Sequence, residues 1–178
     1  MSEQSTMDAV LRSFDTDAFL GLEYNEATET SRTLMRQGWV PVSTIEDFEI
    51  SPPKAWTDPK TNQQHMMSPV LKLKTVITDE DIRNELNVAD DRPLYFTIQI
   101  FLDLNEQGQL DFGTNRNILL GQLREAIDQN TPGEPWSFFM LRGCRGFHAK
   151  VAHKASKNNP DAVFEQVTMI AATPEDDA

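Results

Sequence analysis

The chain has 178 residues, with 28 Asp plus Glu against 16 Lys plus Arg, three His, one Cys and 39% hydrophobic residues, for a formal charge of −12. That length fits one domain with a sizeable core, the single Cys144 excludes a disulfide scaffold, and no apolar run approaches the ~20 residues that span a bilayer. The start, MSEQSTMDAV, lacks the charged-then-apolar layout of a secretion signal, so the expectation is a soluble intracellular protein with no membrane partner.

Residues 1 to 30 hold seven acids and one base, Arg12, and read as an acidic N-terminal arm with a short amphipathic helix at Met7 to Leu11 and Phe14. From Gly38, the segment GWVPVSTIEDFEI is rich in β-branched and aromatic residues and predicts a first strand, bent or bounded at Pro41. Residues 51 to 69, with four prolines and no periodicity, predict a long loop of the kind that often binds. VLKLKTVI, residues 70 to 77, alternates cleanly, with Leu71 and Leu73 on one face and Lys72 and Lys74 on the other. A short helix over 78 to 87 follows, with Thr78 as N-cap and Asp81 three residues on.

The strongest strand is LYFTIQIFLDL, residues 94 to 104, with Phe96, Ile98, Ile100, Leu102 and Leu104 on one face. Tyr95 and Phe101 lie on the other. Residues 115 to 130 carry Leu119, Leu120, Leu123, Ala126 and Ile127 at helical spacing and stop at Asn130, Pro132 and Gly133. Strands are expected at Phe147 to Ala155 and Ala162 to Ala172, joined by the turn KNNPD. This order predicts a mainly β, α+β fold: a five-stranded barrel of the oligonucleotide/oligosaccharide-binding (OB) type over residues 31 to 172, one main helix between strands 3 and 4, and an acidic tail over 173 to 178.

An acidic total argues against a nucleic-acid partner, because affinity for phosphate comes from Lys and Arg. The distribution weakens that objection. Residues 142 to 157, RGCRGFHAKVAHKASK, carry Arg142, Arg145, Lys150, Lys154 and Lys157 and no acid. Catalysis and cofactors are not expected: His65, His148, His153 and Cys144 are scattered, where a metal needs three or four converging donors, and no nucleophile elbow or phosphate-binding glycine loop is present. The glycines of RGCRG fit better as a way into a strand.

A single strand of nucleic acid is held by a basic groove and by aromatic platforms for its bases. The sequence offers Lys72 and Lys74 on one outward face, Tyr95 and Phe101 on another, and His148, Lys150 and Lys154 on a third, with Arg142, Arg145 and Lys157 in the basic strip and Trp56 in the long loop near Lys54 and Lys60. Each has a plainer use: a solvated face for the lysines, packing against the loop, the arm or a partner subunit for Tyr95 and Phe101, a loop anchor for Trp56. Trp136 reads as a core or staple residue and Trp39 as structural. The tail residues Glu175, Asp176 and Asp177 can occupy a basic groove or dock on basic proteins, or serve solubility.

The segment from Leu110 onward, LDFGTNRNILLGQLREAIDQNTPGEPW and then LRGCRGFHAKVAHKASKNNPDAVFEQVTMIAAT, resembles a group of bacteriophage proteins encoded among replication and recombination genes. In that group a helix of the form N-x-x-L-G-x-L-R-E-A precedes a P-G-x-P-W turn, a Gly-centred strand start and a basic strand. The matching positions are Asn117, Leu120, Gly121, Leu123, Arg124, Glu125, Ala126, Pro132, Gly133, Pro135, Trp136, Gly143, Lys150, Val151 and His153. The group's Pro-x-Gly-x-Tyr start to the first strand is replaced by Arg36, Gln37, Gly38 and Trp39. The resemblance implies an OB-fold single-stranded-DNA-binding protein in the host cytoplasm, with phage replication proteins as possible partners of the tail. Two other readings stay open: a virion structural or decoration protein, or another interaction module, on the same fold, and an acidic mimic of DNA. A homo-oligomer is compatible with all three.

Overall fold

The computed structural model describes residues 3–28 and 32–174, and the chain divides into two units, residues 1–32 and 33–178. The first unit holds helices α1 (Glu3–Ser13) and α2 (Thr16–Leu20). Asp15 caps α2, its carboxylate accepting from the backbone N–H groups of Asp17 and Ala18. Its apolar side chains, Leu11 and Leu20 among them, are exposed. The expected tail lies, from residue 175 on, outside the described residues.

The second unit is mainly β. Its elements run β1 (Gly38–Ser51), β2 (Lys54–Thr57), β3 (Gln64–Met67), β4 (Val70–Ile77), α3 (Glu80–Glu85), β5 (Leu94–Phe101), α4 (Ile118–Ala126), a 3-10 turn (Phe138–Leu141), β6 (Arg145–Ala155) and β7 (Val163–Ala171). Five strands form one antiparallel sheet in the order β5-β4-β1-β6-β7. β1 is long enough to serve two neighbours at different heights: Thr44 to Ser51 pair with β4, and Gly38 to Thr44 pair with β6. Glu46 is the extra residue of a bulge between Ile45 and Asp47, the device that bends a strand and raises its twist.

In the five-stranded sheet a period-2 pattern, with three-residue steps from Val42 to Ile45 and from Val167 to Ile170, puts one face of each strand into a single core: Val40, Val42 and Ile45 of β1, Leu71, Leu73 and Ile77 of β4, Phe96, Ile98 and Ile100 of β5, Phe147, Ala149 and Val151 of β6, Val167 and Ile170 of β7. The buried face of α4, Leu120, Leu123 and Ala126, joins it, and Gln122 Oε1 accepts from the Ile170 N–H at 3.0 Å, tying the helix to β7. Each fully buried Leu or Ile contributes about 1.5 to 3 kcal/mol. Thr75 is buried among them and its hydroxyl donates to the Phe96 carbonyl at 2.5 Å. At the start of β6, Gly143 has φ +70, and a Cβ on Gly146 would sit 2.6 Å from the Val42 carbonyl oxygen. Glycine there lets β6 close against β1.

Three features differ from expectation. The five-stranded sheet is not closed by hydrogen bonds: β5 and β7 approach within 8 Å between Cα atoms, yet no ladder joins them among the described residues. The long loop is instead a separate hairpin, β2 with β3, turned around Asp58, whose carboxylate accepts from the Lys60 N–H, and Asn62 at φ 58. Both its strands are exposed along their length, so no buried face imprints a period on the sequence. Helix α3 is capped by Asp79, accepting from Ile82 N–H at 3.0 Å, while the Thr78 hydroxyl meets that of Ser43 at 2.5 Å. No helix of the described residues is long and apolar enough to cross a membrane.

Candidate nucleic-acid interface

The outward face of β4 and β5 carries the first group of expected residues. In register, Lys74 lies opposite Thr97, Lys72 opposite Gln99, and Tyr95 opposite Val76. Lys74 Nζ sits 4.1 Å over the Tyr95 ring, a cation on an aromatic face. Lys72, Lys74, Tyr95 and Thr97 line, with Asp47, Phe48 and Glu49, a shallow concavity of about 340 Å³. Phe101, 62% exposed, lies on the same face at the far end of β5, roughly 20 Å from Tyr95 at ~3.3 Å per residue.

These cations are not bare. Lys72 Nζ lies 3.7 Å from Glu49 Oε1 and Lys74 Nζ 3.4 Å from Glu46 Oε2, because β1 places its acidic segment directly beside β4. Between the two glutamates, Asp47 Oδ1 accepts from Arg142 Nε at 2.7 Å and from the Phe48 N–H at 2.9 Å. The Arg142 hydrogen bond, and after it the Phe48 backbone hydrogen bond, holds the Asp47 carboxyl below the usual carboxylate range. Arg145 pairs with Asp128.

The basic strip is therefore not one patch. Arg142 follows the 3-10 turn, Arg145 opens β6, and Lys150 lies further up β6 opposite Trp39, its Nζ 5.8 Å from the indole centroid. His148 Nδ1 donates to the Ala172 carbonyl at 3.1 Å, and His153 Nε2 donates to the Met35 carbonyl at 2.6 Å. Lys154 and Lys157 are exposed at the β6–β7 end. Since Lys150 sits opposite Trp39 and Lys74 opposite Asp47, the two cations are about eight strand residues apart along β1, roughly 26 Å at ~3.3 Å each. Trp56 stands on the β2–β3 hairpin, 48% exposed, its ring 5.6 Å from that of its cross-strand partner His65. Trp39 Nε1 is buried with no hydrogen-bond partner among the described residues.

A second concavity was not anticipated. Phe48, Ile50, Phe112, Trp136, Phe138 and Phe139 line a groove of about 680 Å³. Its wall is held by Gln129 just past α4: Oε1 accepts from Trp136 Nε1 at 2.8 Å, and Nε2 donates to the Met140 carbonyl at 2.9 Å and to Cys144 Sγ at 3.1 Å. The Arg124 guanidinium lies 4.3 Å from the Trp136 ring centroid, and burial lowers its pKa. Burial also raises the Cys144 thiol above its usual value, against the Gln129 hydrogen bond.

The opposite rim is the loop before α4. Asn117, in the left-handed region at φ 50, donates to the carbonyls of Asp103 and Asp111 and accepts from the Asp103 N–H, so Phe112 projects from an ordered loop. The sequence trace of this groove is three exposed or half-exposed phenylalanines, Phe112, Phe138 and Phe139, in segments without strand or helix periodicity. Among the described residues, no three His, Cys, Asp or Glu side chains are grouped as a metal would require. The chain matches no known protein-family model and none of the curated proteins.

Proposed function

We propose that the second unit is an OB-type domain that binds single-stranded DNA without catalysis, in phage replication or recombination. The observation that carries this reading is where the basic and aromatic side chains sit. OB folds bind oligonucleotides on the face of their second and third strands and with the loops joining strands 1 to 2 and 4 to 5. Here the second and third strands of the sheet are β4 and β5, bearing Lys72, Lys74, Tyr95 and Phe101. The connection from first to second strand is the β2–β3 hairpin with Trp56, Lys54 and Lys60, and the connection from fourth to fifth carries Lys157. The sheet order, third-second-first-fourth-fifth, the bent first strand shared by two neighbours and the approach of the outer strands support the OB assignment. The helix between the third and fourth strands supports it too.

Titration of a fluorescent oligo-dT by anisotropy tests it. Binding should appear at low salt, weaken as salt rises, and fall about 5- to 160-fold in Tyr95→Ala, as expected for the loss of one stacked base. An affinity undetectable at low salt, or one indifferent to salt, overturns the reading.

A further inference from the structure

We propose that the aromatic groove between the loop before α4 and the 3-10 turn is a second base-stacking section for single-stranded nucleic acid, continuous with the β4–β5 face. The inference rests on the single-strand-binding reading above and extends it to residues on other elements. Continuity is the first ground. Phe48 lines both concavities, and the Asp47–Arg142 pair joins them: Asp47 lines the first, while the Arg142 guanidinium lies 5.0 Å from the centroid of Phe48 and 5.9 Å from that of Phe139, two rings that line the second.

The chemistry of the lining is the second ground. Five of the groove's residues are aromatic, and two of them, Phe112 at 75% and Phe139 at 73%, present most of their surface to solvent. Rings held in place with open faces suit planar bases. Phe48, Phe138 and Phe139 are fixed against one another, with centroids 6.5 Å and 6.2 Å from that of Phe48. Trp136 is fixed against Phe138 at 4.9 Å. Asn105 and Gln109 stand at the rim with amide donors and acceptors for base edges. Charge is the third ground: Arg142 already binds a carboxylate at the crossing point, and a phosphate passing between the concavities can take the place of that exposed carboxylate on the guanidinium.

The test uses the full chain, oligo-dT of about 16 nucleotides, the upper end of single OB-fold site sizes, and three variants: Phe112→Ala, Phe139→Ala and Phe139→Trp. Each alters an exposed ring, and circular dichroism checks the fold. Each alanine variant should bind roughly 5- to 160-fold more weakly. Phe139→Trp should retain affinity and show oligonucleotide-dependent quenching larger than that of the parent, in which Trp56 and Trp136 already report. If the parent binds and Tyr95→Ala weakens it, but both alanine variants bind like the parent, the groove inference is overturned while the single-strand reading stands. If the parent does not bind, the single-strand reading fails and the inference with it. Sedimentation equilibrium covers the remaining occupant: a dimer dissociated by Phe112→Ala and Phe139→Ala at unchanged DNA affinity assigns the groove to a second copy and overturns the proposal.

Discussion

The glutamates beside the β4 lysines give a quantitative expectation for binding. Replacing Glu46 and Glu49 together by Gln removes the carboxylates that lie 3.4 Å from Lys74 and 3.7 Å from Lys72, without touching the core. A phosphate meeting either lysine must displace or coexist with its glutamate. Exposed ion pairs are worth about 0.2 to 1 kcal/mol each, so removing both should tighten low-salt binding by about 0.4 to 2 kcal/mol, a factor of roughly 2 to 30. The salt dependence should change as well. Each neutralised phosphate of a single strand contributes about 0.7 to the slope of log affinity against log salt, and a carboxylate left beside it retains a cation that would otherwise be released. The slope should therefore steepen by up to about 1.4, so that up to about sevenfold of a gain at the upper end of that range should vanish between roughly 50 and 200 mM salt. The assay is anisotropy of labelled oligo-dT across that range, with the fold checked by circular dichroism. A folded Glu46→Gln, Glu49→Gln variant with parental affinity and slope would refute the masking argument, because it would mean that neither lysine meets a phosphate.

Gly146→Ala should destabilise by about 1 to 3 kcal/mol in urea unfolding, since the new Cβ would meet the Val42 carbonyl oxygen at 2.6 Å; parental stability would contradict the closeness of β6 to β1. In an NMR titration the Asp47 carboxyl should have its midpoint below the ordinary ~3.9 and return towards it in Arg142→Ala. Because the folded value is depressed, the pair's contribution to stability is present above the ordinary carboxylate range and is lost as pH falls through Asp47's lowered pKa; a midpoint indifferent to Arg142→Ala would place the cause elsewhere. Trp39→Phe deletes an indole N–H that is buried without a partner among the described residues, and the relief of about 1 to 3 kcal/mol for such a group should offset most of the lost packing. A loss above about 2 kcal/mol would mean that the N–H is satisfied.

The fold was legible wherever one face of an element is buried. VLKLKTVI and LYFTIQIF announce β4 and β5 because Leu71, Leu73, Phe96, Ile98 and Ile100 point into the core and Lys72, Lys74, Tyr95 and Phe101 do not. Helix α4 was readable for the same reason through Leu120, Leu123 and Ala126. The β2–β3 hairpin was not, since it buries neither face, and strand closure was not, since hydrogen bonding between the third and fifth strands depends on backbone geometry that no side-chain pattern encodes. The start of α3 moved from Thr78 to Asp79 because Ser43, thirty-five residues away, holds the Thr78 hydroxyl.

The candidate site was half legible, and the missing half has a single physical origin. A run of sequence with five bases and no acid looks like a cationic patch only if its neighbours in space are its neighbours in the chain. In a sheet they are the cross-strand residues. Lys72 and Lys74 meet Glu49 and Glu46 of β1, Arg142 meets Asp47, and Arg145 meets Asp128, so the acids of IEDFEI neutralise cations that lie 23 to 95 residues further along the chain. The same strand segment that supplies this mask also supplies Phe48, the ring shared by both concavities. On the single-strand reading proposed above, residues 46 to 49 would set both the electrostatic threshold that a phosphate backbone has to overcome and the aromatic floor that rewards it with stacking. On that reading, such a site would bind weakly through charge alone and gain its affinity from the bases, which would favour an unpaired strand with exposed rings over a duplex whose bases are stacked inside.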